Sequence, residues 1–109
     1  MKWTVHFASE DDADALFSSD VEIREIVARR GTLLRDIGDV IALPDYFADD
    51  WEALAHWLRE LEFDGAALAL VVRDAAAFWR DAPADAARLV EVWLAATVER
   101  RDLHLVFVW

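Results

Sequence analysis

ALPDYFADDWEALAHWLREL, residues 42–61, is the stretch on which the fold turns. Its Leu43-Pro44 step ends whatever helix precedes it, because a residue before proline is held out of the α region. From about residue 50 the pattern changes. Trp51, Leu54, Leu58 and Leu61 recur at three- and four-residue spacing, which draws one apolar stripe along a helix. Glu52, His56 and Glu60 lie four apart and share a different face. Asp49 and Glu52 make a D-x-x-E start of the capping-box kind, and Asp50 is equally suited to cap the first turn. The segment reads as a loop that leads into an acidic, amphipathic helix.

Upstream, Leu33, Leu34, Ile37, Val40 and Ile41 have helical spacing, with Gly31 as a breaker and Thr32 as a cap. Residues 22–29 (EIREIVAR) alternate weakly, as a strand does. Residues 3–7 (WTVHF) read as a further short strand, followed by an acidic loop or short helix. Downstream, residues 68–72 (LALVV) form a continuous apolar run, the mark of a strand buried on both faces. A short helix is expected at 75–79. Pro83 suits the first turn of a last helix running to about residue 100. Residues 103–109 (LHLVFVW) read as a terminal strand. Buried strands separated by helices predict an α/β fold: a small three-stranded parallel sheet packed against helices, with room for an extra N-terminal strand. The expectation is one domain over 1–109, in which residues 1–20 are an N-terminal extension.

Charge narrows the function. Asp and Glu number 22 against 11 Lys and Arg, a formal net of -11. Such a chain repels nucleic acid and anionic lipid and attracts basic proteins. There is no cysteine, hence no disulfide or thiolate chemistry. Neither a signal-peptide-like run near the N-terminus nor a membrane-length apolar run is visible, so the cytoplasm is the expected location. The three glycines are scattered and make no phosphate loop. No nucleophile has a base beside it in a recognisable pattern, so neither catalysis nor a cofactor is expected. His6 and His104 read as ordinary strand histidines. Glu52, His56 and Glu60 leave one alternative open, a metal site built from successive turns of one helix.

The same 42–61 stretch resembles the barstar family. A Leu-Pro, an acidic residue and an aromatic pair (Leu43-Pro44-Asp45-Tyr46-Phe47) run into Trp51-Glu52-Ala53-Leu54, and the later strands and helices follow in the family's order. The resemblance covers about residues 22–109. It implies an inhibitor, often an immunity protein, that lays an acidic helix and the loop before it across the active site of a small basic ribonuclease or related toxin. Carried across, Tyr46 is the loop aromatic that packs on the enzyme and Asp50 stands at the helix start. Glu52 is the first interface carboxylate, and Glu99 matches a second acidic patch near the end of the last helix. His56 stands where the family has its central interface carboxylate. With Asp45, Asp49 and Glu60 these residues make up the expected partner surface of a chain that is monomeric before binding. The departures, His56 above all, point to a divergent member with its own toxin. They also leave open a binding protein of the same fold with a different basic partner.

Overall fold

The computed structural model describes residues 4–13, 20–43 and 50–109. Nine elements follow in order: β1 (Val5–Ala8), α1 (Glu10–Ala13), β2 (Val21–Val27), α2 (Leu33–Val40), α3 (Trp51–Glu60), β3 (Ala67–Arg73), α4 (Ala75–Asp81), α5 (Pro83–Ala96) and β4 (Leu103–Val108). The strands form one sheet in the order β1-β4-β3-β2, and every neighbouring pair is parallel. The extra N-terminal strand is therefore real. β1 extends the sheet beyond β4, with Val5 opposite Leu105 and Phe7 opposite Phe107.

The continuous apolar runs end up where the sequence demands. β3 and β4 are the two central strands, and each of their residues is buried apart from Arg73. Alternation sends Leu68, Leu70, Val72, Leu103, Leu105 and Phe107 into the main core beneath α2 to α5. Val71, Val106 and Val108 face the other way, where Ala13 of α1 packs on them. Two helix ends differ from expectation. α2 stops at Val40, before the proline is reached, because Ala42 takes a left-handed backbone (φ 59°) and the Leu43 N–H turns back to the Gly38 carbonyl at 2.8 Å. Thr32 precedes α2 but donates its hydroxyl to Asp36 at 3.0 Å and caps no backbone N–H. The last helix ends at Ala96, not near residue 100, and Thr97 closes it by donating its hydroxyl to the Trp93 carbonyl at 2.8 Å.

Gly65 starts the turn into β3 at φ +93°, a conformation that costs an L side chain. A Cβ there would lie 2.8 Å from the Asp20 carbonyl oxygen, which accepts from the Ala66 N–H and holds the start of β2. Gly65→Ala should therefore cost about 2 kcal/mol in urea unfolding, from strain plus a backbone clash. A loss under about 0.5 kcal/mol would mean that the two segments part easily.

β1 is fastened by more than its ladder. The Thr97 hydroxyl spends its proton on Trp93, so the Thr4 hydroxyl donates to it, at 2.9 Å in the buried interior. On the α1 side of the sheet, His6 Nε2 lies 3.1 Å from His104 Nδ1. Burial holds both imidazoles below the ordinary histidine value of 6.5, and for His104 the neighbouring His6 adds to it. The folded protein thus prefers neutral rings, while the unfolded chain takes up protons near 6.5. Stability should be flat above that pH and fall as pH drops below it, by at most about 1.4 kcal/mol per unit for each histidine. Denaturant midpoints at pH 7.5, 6.5 and 5.5 read this directly. A His6→Asn/His104→Asn variant should flatten the profile, and an unchanged slope would assign it to other groups.

Candidate partner-binding face on α3

α3 is a helix because its start is capped and its apolar residues repeat. Asp50 has an extended backbone (φ -136°, ψ 163°), and its Oδ1 accepts the Ala53 N–H at 2.7 Å. The cap is therefore Asp50, while Asp49 of the Asp49–Glu52 box that the sequence suggests lies outside the described residues. One oxygen of Asp50 is engaged with the helix, and a carboxylate retains further acceptor capacity. Leu54 and Leu58 are fully buried, and Trp51 and Leu61 pack on the same core. This anchors one side of the helix and turns the other to solvent.

The solvent side carries Glu52, His56 and Glu60, all exposed, with Arg59 beside them. The four-residue spacing thus makes a single acidic stripe with a histidine in the middle. His56 meets the Trp57 ring edge-on, with centroids 5.3 Å apart. Trp57 is half-buried, off the apolar stripe, as its position implies. Trp51 lines an open cleft of about 190 Å³ with Gly31, Leu33, Leu34, Arg35 and Asp85. A cleft of mixed character, with Arg35 and Asp85 among its walls, therefore opens at the Trp51 end of the helix. Among the described residues no three His, Cys, Asp or Glu side chains gather closely enough to hold a metal ion. Glu52, His56 and Glu60 share a face of α3 without gathering into such a group.

The far end of α3 is held by a residue that the sequence gives little reason to single out. Arg100 sits between α5 and β4. Its Nη1 donates to the carbonyls of Leu58 at 2.9 Å and Leu61 at 2.8 Å, two of the acceptors that the end of a helix leaves open. Its Nε and Nη2 donate to the two carboxylate oxygens of Asp102, at 2.9 and 3.0 Å. That hydrogen-bonded pairing holds the Asp102 carboxyl below its usual range. Arg100 also lies over the Phe63 ring, 5.7 Å from its centre. In the sequence it is half of an Arg-Arg pair in an acidic background. The α3 carbonyls it holds lie about forty residues away, beyond any local pattern.

Glu99 is thereby relocated. It stands in the turn after α5 and not on the helix, one residue before Arg100, whose guanidinium reaches the C-terminal end of α3. Asp50 and Glu52 mark the other end, about 15 Å away along ten residues of helix. Asp45, Tyr46 and Asp49, the loop part of the expected surface, lie outside the described residues. Among the described residues no helix is long and apolar enough to cross a membrane.

No curated protein matches the chain. The family model described as Barstar (barnase inhibitor) matches residues 20–108, from the start of β2 to the end of β4. β1 and α1 lie outside that match and are an addition to it. With a parallel sheet under four helices, and with the match spanning most of its length, the chain belongs to the Barstar family.

Proposed function

We propose that this protein inhibits a small, basic ribonuclease or related toxin by laying the exposed stripe of α3 over the cations that bind RNA phosphates. The observation that carries this reading is the stripe itself, with Glu52 and Glu60 exposed on the face opposite the anchored Leu54 and Leu58. Ribonuclease sites gather Arg and Lys to hold phosphate. Carboxylates meet them with charge-assisted, sometimes bidentate hydrogen bonds. A net charge of -11 draws a basic enzyme in from a distance, and salt weakens that attraction. Asp50 and the preceding loop, with Asp45, Tyr46 and Asp49, extend the surface at one end, and Glu99 at the other. His56 in mid-stripe tunes the face to a partner with fewer cations at its centre. The protein acts as an immunity factor in the cytoplasm of the producing cell and performs no chemistry of its own.

Co-expression tests the reading. The gene beside this one, where it encodes a small basic nuclease-like protein, is induced with and without this chain, and growth and a one-to-one complex are scored. Rescue by the native chain that is lost with Glu52→Arg supports inhibition through α3. A complex that forms without suppressing RNA cleavage would instead favour a binding protein of the same fold.

A further inference from the structure

β2 is an outer strand of the sheet, and its seven residues carry an unusual pattern for an edge. Two large apolar side chains on its α1-side face are left in water, Ile23 at 46% and Val27 at 48% exposure. On the helix side stand Glu22 and Arg24, which form an ion pair with each other. The Asp20 carbonyl points toward β3, where it accepts from Ala66. Backbone alternation then turns the N–H and C=O groups of Val21, Ile23 and Glu25 outward. Long edges of this kind pair with other chains unless something blocks them.

We propose that β2 pairs with β2 of a second copy of this chain, antiparallel and across a two-fold axis at Ile23, to make one continuous sheet. The charges choose the register. Outward-facing groups meet only when the paired residue numbers sum to an even value. A sum of 44 sets Glu22 against Glu22 of the other copy, and a sum of 48 sets Arg24 against Arg24. A sum of 46 sets Glu22 against Arg24 twice over and brings the two Ile23 side chains together on the opposite face. It also pairs Val21 with Glu25. The two-fold axis exchanges both backbone hydrogen bonds between the Ile23 residues, the close-bonded type of antiparallel pair. Isologous contact of this kind closes on itself and forms no filament. The negative charge of each copy opposes the association, and Asp36 and Asp39 on α2, beside the second half of β2, add to the repulsion. The dimer is therefore weak and strengthens as salt shortens the reach of like charge. It is independent of the inhibitory reading.

Sedimentation equilibrium of the full chain, from micromolar to millimolar concentration at about 0.15 M salt, reads the association. The expected result is a concentration-dependent dimer. Glu22→Arg sets arginine against Arg24 at both symmetric positions and should weaken it about tenfold or more, and Glu22→Arg/Arg24→Glu should restore it. Because the chain has no cysteine, Ile23→Cys gives a single thiol placed on the axis. The two Cα atoms of such a pair are about 5.5 Å apart, within disulfide range. Ile23→Cys should thus oxidise to a dimer well before Val98→Cys, whose position is more exposed at 69%. A chain that stays monomeric to millimolar concentration, a dimer indifferent to the Glu22 and Arg24 exchange, or equal oxidation of the two cysteine variants would overturn the proposal.

Discussion

Glu52→Ala is expected to weaken the complex with the cognate nuclease by about 2 kcal/mol, roughly 30-fold in Kd. The size follows from what the partner loses. Glu52 is on the first turn of α3 and exposed, one residue after Trp51. A cation buried against it in the complex would be left without its counter-charge, and the cost of that orphan exceeds the worth of a surface ion pair. Most of the change should appear in the dissociation rate, measured by surface plasmon resonance. Glu52→Arg should go further and also slow association, because it reverses the local field that guides encounter. A loss below about 0.5 kcal/mol would move Glu52 to the solvated rim of the interface. The binding centre would then be sought at Glu60 and the Glu99 end of α3.

Trp93→Ala should be the most damaging single change to the fold, at about 3–5 kcal/mol. Trp93 is on α5, fully buried and the largest such side chain among the described residues. Its indole Nε1–H donates to the Leu103 carbonyl at 3.4 Å, at the start of β4, and its own carbonyl takes the Thr97 hydroxyl. Alanine leaves a cavity between α5 and the sheet and loosens the entrance to β4. Against a total stability of roughly 5–15 kcal/mol that is a large share. Trp93→Phe refills most of the volume without the N–H and should recover more than half of the loss in a thermal melt. If the two variants melt together, the hydrogen bond to Leu103, not the packing, carries the effect.

The order of strands and helices, the burial of β3 and the split of α3 into a buried and an acidic face are all legible in the amino-acid sequence. Each depends on periodicity, which is local: a strand buried on both faces has no polar alternate positions, and a helix exposes a residue about every fourth step. The resemblance carried by residues 42–61 adds the family, and the match over 20–108 bears it out. Less legible is anything that depends on chain segments meeting. Sequence leaves Asp49 and Asp50 as rival caps, and backbone geometry assigns the role to Asp50. It leaves residues 3–7 as a strand without a place, and pairing with β4 supplies one. It draws α5 too long, because Thr97 has no local mark as a helix stop, and so sets Glu99 on a helix that ends before it. Arg100 gives no local sign of its role at α3, since its grip on Asp102 is only two residues long but its hold on the end of α3 exists only when segments some forty residues apart are packed together. Periodicity along the chain thus determined which faces are apolar and which are charged. Only the tertiary structure decided which ends of those elements touch, because that is fixed by packing and by hydrogen bonds between residues far apart in the chain.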